Sequence, residues 1–559
     1  MYQRKRKYIF IAIITLIFLS INSYAQDLEK VTLKNAVKIS GGIGFQSTAY
    51  TAFGMPMSRD PFLMQVNLNL NISVLGVVNI PLSASFSNQG AKYSTPQPFN
   101  TFGMSPKYKA VTLHLGYRSI NLSEFSLSGS QFLGIGLEIK PKNSFVKGKV
   151  LWGRFAKPVY FNPNGSIATK PSYLRYGWGA GITLGKSSKN EVTFNIFKAK
   201  DDPNSLDVPA SEIDTKPAEN LVVGIAFKQK ITKQISVDGE GDLSFYTNDV
   251  TIIPTVDNNN SYANNIFLFG YNGTSEFKKA IMFGVNYKPS FAKFKLKYRR
   301  VDPGYRTLGT SYINNDYEDV SLKTTFSLFE KKTGVSVSGG FQHNNLNGAQ
   351  VTDLVRIIGA VAVNHKINDK WSTAANYSNF NSNTHQSVVI IFDSLKFIQT
   401  TQAAGLSFTR NVSSDSTSAS LNFSLNYQNA IVNDVRTTDF YNGSVGWQKQ
   451  YQKSKISIGT SLVAMHNISE TGSTSNVGPT AMIGSMLFKD KLMVSFMAAY
   501  LPSFTDLVAA GSISNLSLSG SYAIFKKHKI AFNVSNVMRV VNSATTSEIT
   551  AAINYKYSF

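Results

Sequence analysis

Counted backward in twos from Phe559, the end of the chain places Phe559, Tyr557, Tyr555, Ile553, Ala551 and Ile549 on one face, and Ser558, Lys556, Asn554 and Thr550 on the other. A period of two is that of a β-strand with one apolar and one polar side. The same alternation runs through Ala419, Leu421, Phe423, Leu425 and Tyr427 against Ser420, Asn422, Ser424 and Asn426, and through Val335, Val337 and Phe341 against Ser336, Ser338 and Gln342. Segments of this kind are roughly 10 to 15 residues long and often end in Tyr or Phe, as tilted membrane strands with an aromatic girdle do. Short polar turns such as Lys288-Pro289-Ser290, Phe329-Glu330-Lys331-Lys332 and Phe488-Lys489-Asp490-Lys491 alternate with longer loops. The longest runs from about Thr247 to Thr274 and holds Asp257-Asn258-Asn259-Asn260.

A sheet that is apolar on one face and polar on the other fits a closed barrel between lipid and water, because an open edge in lipid would leave backbone groups unpaired. The pattern therefore predicts an all-β fold, a transmembrane antiparallel β-barrel of about 24 strands within the range 22 to 26. About 25 strand-like segments can be counted, whereas a single-chain barrel with both ends on one side needs an even number. Up-and-down alternation holds from Phe559 back to about Ala110 and then conflicts with the strands near residues 63–72 and 75–88. Two Ser-, Gly- and Pro-rich stretches in this region, 90–109 and 118–131, do not alternate and are candidates for folding into the lumen.

At the N-terminus, Arg4, Lys5, Arg6 and Lys7 precede an apolar run from Tyr8 to Ile21, and Asn22-Ser23-Tyr24-Ala25 follows. This is the build of a secretory signal peptide over residues 1–25, cleaved after Ala25, which leaves 26–559 as the barrel. Composition agrees with strands: 40 Gly, 26 Tyr and 38 Phe, with no Cys, which removes disulfides and thiol chemistry. The chain carries +23, of which the four charges of Arg4–Lys7 fall in the signal, leaving +19 spread over turns and strands. With no basic patch or known module, nucleic-acid binding is not expected.

The stretches Ser58-Arg59-Asp60-Pro61-Phe62, Phe99-Asn100-Thr101-Phe102-Gly103 and His114-Leu115-Gly116-Tyr117-Arg118, together with the aromatic terminal strand, resemble large porin-like outer-membrane β-barrel proteins of Bacteroidota-type bacteria. The resemblance implies a place in the bacterial outer membrane, contact with its lipid and lipopolysaccharide, and a C-terminal signal (Phe559, Tyr557, Tyr555) read by barrel-assembly machinery. It carries no known active residues.

Two charge columns stand out. Lys293, Lys295, Lys297 and Arg299 alternate with Ala292, Phe294, Leu296 and Tyr298, and Asp238, Glu240 and Asp242 alternate with Val237, Gly239, Gly241 and Leu243. Between them lies a strand with Met282, Gly284 and Asn286 on the water side. One reading has the long basic side chains reach over this small strand to neutralise the acids. The other has the columns set a field that selects charged solutes, with the basic excess favouring anions.

The six histidines, His114, His343, His365, His385, His466 and His528, lack the short spacing of a metal site, and no nucleophile elbow is present. Neither a metal, a cofactor nor an enzyme activity is expected. Gly177-Trp178-Gly179-Ala180-Gly181 lies inside a strand pattern and reads as close packing rather than a phosphate loop. The expected function is a pore or translocation channel for polar or charged solutes. The alternative is a non-conducting barrel that anchors surface loops or joins protein partners in an outer-membrane secretion or gliding assembly.

Overall fold

The computed structural model describes residues 36–89, 95–142, 144–160, 171–187, 189–207, 214–252, 269–386, 397–433 and 435–559. The signal segment 1–25 and the Asp257–Asn260 loop tip lie outside the described residues. Twenty-seven strand segments form a single antiparallel sheet that closes on itself, β1 (Val37–Phe53) pairing with both β2 (Phe62–Val74) and β27 (Ala544–Ser558). Short segments β4 (Thr101–Met104) and β5 (Lys107–Tyr108) share one place between β3 (Val78–Ser87) and β6 (Val111–Arg118), so the barrel has 26 strands.

This corrects two expectations. The strand number is 26, at the upper bound of the expected range rather than near its centre of about 24, and residues 101–108 belong to the wall instead of the lumen. The missing strand explains why up-and-down alternation failed above Ala110: without it, neighbouring strands on either side point the wrong way. It escaped the pattern because it is broken at Ser105-Pro106, where proline supplies no N–H to the ladder. With it restored, both ends of the sheet lie on one side, with Phe559 N–H donating to the Gly41 carbonyl at 3.0 Å.

The apolar face is turned outward: Leu296, Phe283, Ile281, Leu322 and Val320 are all exposed large apolar residues on adjacent strands. In the terminal strand Tyr555 and Tyr557 stand opposite Phe45 and Ile43 of β1 where the barrel closes, and the Tyr557 ring lies 4.6 Å from His528 and 4.9 Å from Phe559. At about 4.8 Å between strands and a tilt of about 40°, 26 strands enclose a section roughly 50 Å across if it is round. Among the described residues no helix is long and apolar enough to cross a membrane.

The buried core is not spread around this wall. Its two clusters gather on one side, in the strands from β6 to β15 (Tyr317–Leu328) and in two of their connections, residues 119–131 and 302–316.

Candidate functional site

Residues 119–131 join β6 to β7 (Phe132–Ile139) by turning inward over the polar face of the wall. Four of their apolar side chains, Ile120, Leu122, Phe125 and Leu127, are buried. Glycines make the seat. A Cβ at Gly136 would meet Ile120 Cδ1 at 2.4 Å, and one at Gly179 would meet Leu122 Cδ1 at 2.7 Å. The glycine run of β9 (Leu174–Ser187) is thus a packing surface: Gly177 likewise leaves room for the Phe155 ring, 2.9 Å from its missing Cβ. Behind the insert, Phe155 of β8 (Val146–Ala156) packs on Phe132 and on Phe197 of β10 (Asn190–Asp202), with centroids 5.7 and 5.4 Å away.

A second connection, residues 302–316 between β14 (Ala292–Val301) and β15, folds over the first. Leu127 and Gly309 form a parallel bridge, Thr307 Oγ1 donates to the Ser126 carbonyl at 2.6 Å, and Tyr305 OH donates to the Phe125 carbonyl at 3.0 Å. Burial pushes the Tyr305 hydroxyl above the ordinary phenol range, so it is a donor at neutral pH. Gly309 allows the approach, since a Cβ there would fall 2.2 Å from the Ser126 carbonyl oxygen.

The two charge columns face this insert. On β12 (Ile235–Thr247), Asp242 accepts from Ser123 Oγ at 2.9 Å and Glu240 accepts the Phe125 N–H at 3.0 Å. On β14, Arg299 reaches Glu124 at 2.5 Å, donates to Tyr317 OH at 3.0 Å, and lies 5.9 Å from the centre of the Phe125 ring. The acids therefore take the insert's donors and the arginine takes its acid, so the segment is held from two strands by complementary charge.

The expected neutralisation across the small strand β13 (Ser275–Tyr287) is not what forms. Among the described residues no ion pair joins the lysines or Arg299 to Asp238, Glu240 or Asp242. Gly284 instead lets the Asp238 carboxylate lie across the strand, 2.9 Å from the missing Cβ, where it accepts from Asn286 Nδ2 at 2.8 Å. The physical reason is competition: the inserted backbone and hydroxyls reach the acids first, and satisfy them without fixing long flexible side chains.

Lys293, Lys295 and Lys297 share the inward parity of Arg299 and continue the column towards the end of the barrel that holds the chain termini. Lys323 of β15 stands directly opposite Lys295 in register. None of the four has a carboxylate partner among the described residues, and Lys293, Lys295 and Lys323 are exposed.

The histidines are dispersed, and among the described residues no three of His, Cys, Asp or Glu converge. His466 pairs with Ser475 at 2.8 Å, His365 with Thr333 at 2.7 Å and His114 with Ser105 at 3.0 Å, each across neighbouring strands. The sequence reading missed the insert's apolar anchors. Four buried side chains within a Ser- and Gly-rich stretch, opposite a strand with glycine at every second position, were the signal available.

No protein-family model matches the chain, and no curated protein matches it in sequence. Solved structures similar in architecture include the P pilus usher PapC translocation pore (TM-score 0.40, 10% identity, 93% of this chain and 99% of that one). The copper transporter OprC (0.38, 7%, 93% and 80%) and BauA, the ferric preacinetobactin receptor from Acinetobacter baumannii (0.34, 10%, 92% and 80%), are others.

Proposed function

We propose that the chain is an outer-membrane pore that passes polar solutes and prefers anions. The observation that carries this reading is the row Lys293, Lys295, Lys297 and Lys323, inward-facing and without carboxylate partners among the described residues, inside a wall wide enough to stay wet beside the insert. A short connection pinned to one side covers that side and leaves the remaining section of a roughly 50 Å ring to water. Exposed lysines without an ion-pair partner, as Lys293, Lys295 and Lys323 are among the described residues, raise the local concentration of anions and repel cations.

The test is conductance and reversal potential in planar bilayers under a salt gradient. Steady current with anion preference is expected, and Lys295→Glu with Lys297→Glu should lower that preference or reverse it. An unchanged preference in the double variant overturns the anion assignment. Silence from the intact barrel, and from one in which residues 119–131 are replaced by a short Gly-Ser link, overturns the pore and turns attention to the surface-anchor or assembly reading.

A further inference from the structure

Three buried polar atoms on the two strands that flank β11 have no hydrogen-bond partner among the described residues: Oδ1 and Nδ2 of Asn195 on β10, and Oδ2 of Asp242 on β12. Asn195 is 4% exposed and Asp242 1%. Both flank Gly224 of β11 (Glu219–Lys230) at one level of the wall, opposite it in the register on either side. Both side chains lean over that glycine, for a Cβ at 224 would sit 2.0 Å from Asp242 Oδ1 and 2.9 Å from Asn195 Nδ2. The glycine is a cradle holding the Asp242 carboxylate and the Asn195 amide, whose nitrogen points into it; because neither amide atom has a partner, turning the amide to bring its oxygen in breaks no hydrogen bond. Glu240, two residues back on the same face, has its carboxyl group close enough to that of Asp242 for the two to interact, and the hydroxyls of Ser123 and Ser126 adjoin, 2.6 Å apart.

Two carboxylates side by side in a closed space repel each other unless one of them takes a proton or a cation sits between them. Arg299, two strands from Asp242, is turned to Glu124 instead, and among the described residues no Lys or Arg forms an ion pair with either acid. We infer that a hard metal cation, Ca2+ by its donor chemistry, binds over Gly224 between the carboxylates of Asp242 and Glu240 and the amide oxygen of Asn195. The donors are oxygen atoms alone, which suits Ca2+ rather than a transition metal, and an irregular set completed by hydroxyl and water is within its habit. The ion ties β10 and β12 to the serines of the insert, so it acts as the pin of the luminal segment.

The experiment uses protein refolded from inclusion bodies into detergent, which is free of lipopolysaccharide, stripped with chelator and dialysed against radioactive Ca2+. One ion per folded chain is expected, folding being read from heat-modifiable migration on gels. Asn195→Ala and Asp242→Asn should each weaken binding at least about tenfold, and Asp369→Asn, in an exposed turn, should bind as the parent does. Absence of stoichiometric Ca2+ on the folded parent protein overturns the proposal, the acids then sharing a proton instead. So does binding unchanged in Asn195→Ala or in folded Asp242→Asn, which would place the ion elsewhere. Should Asp242→Asn fail to fold, the parent stoichiometry and Asn195→Ala decide.

Discussion

The two sides of the barrel solve the same problem differently. From β6 to β15, strands run from 8 residues in β6 and in β7 to 14 in β9, and connections on the side away from the termini are long. From β20 (Thr417–Val432) to β27, strands reach 17 residues in β21 (Val435–Tyr451) and 18 in β25 (Val508–Phe525), about 26 Å against about 60 Å along the strand. On this taller side the connections at the corresponding end are two-residue turns. Asp506-Leu507 and Asn542-Ser543 have positive φ at both positions (49 and 67°, 47 and 69°), which suits the twist of a tight hairpin.

The inner faces follow suit. The tall side is lined by small hydroxyl residues that bond across strands, Ser424 to Ser444 at 2.8 Å and Ser495 to Ser519 at 2.7 Å, and stays wettable without a core. The short side carries Phe132, Phe155 and Phe197 inward, all buried under the insert. Apolar side chains facing a wet lumen cost free energy, and an inserted segment is what removes them from water. Where strand ends are long and polar no such cover is needed.

The sharpest way to break this contrast is Phe197→Ala. It removes a fully buried ring from the core beneath the insert and should cost about 3–5 kcal/mol, read by denaturant unfolding in micelles. If it costs less than 1 kcal/mol, the short side has no functioning core. Next comes valine at two glycines. At Gly309 the new side chain would collide with the Ser126 carbonyl and with Phe197 Cε1, 2.9 Å from the missing Cβ, and should cost about 1–3 kcal/mol and expose residues 119–131 to added protease. At Gly359 of β17 (Thr352–Lys366), where nothing lies within 4 Å, the same change should be close to neutral. Equal effects at both sites would mean that the close approach at Gly309 is not what holds the two connections together. The smallest effect belongs to Glu124→Gln, which weakens the contact with Arg299. Glu124 is 43% exposed, so the change should cost no more than about 1 kcal/mol, less in high salt. A larger, salt-independent loss would mean that the charge clamp, rather than the apolar core, holds the insert.

How much of this was legible depended on how local the signal was. The antiparallel barrel with an apolar outer face was written in the period of two, because the surroundings of each face act on each strand separately. The lysine column and the acid column lie on the face opposite exposed Leu296 and Leu243. The interrupted strand 101–108 was not legible, since a break at Ser105-Pro106 destroys the period that identifies a strand. Nor was the partner of each charge. Asp242 and Ser123 are 119 residues apart in sequence, and Arg299 and Glu124 are 175 apart, so no local pattern could pair them.

The sequence by itself determined the class of wall and which side chains face which solvent, because alternation is a property of successive residues. Only the tertiary structure decided that the acids and Arg299 hold an inserted segment rather than each other. That outcome rests on closure of the ring, which brings β6 to β15 around one volume and lets the glycines of β7, β9 and the 302–316 connection admit a second layer of chain where a Cβ would have excluded it.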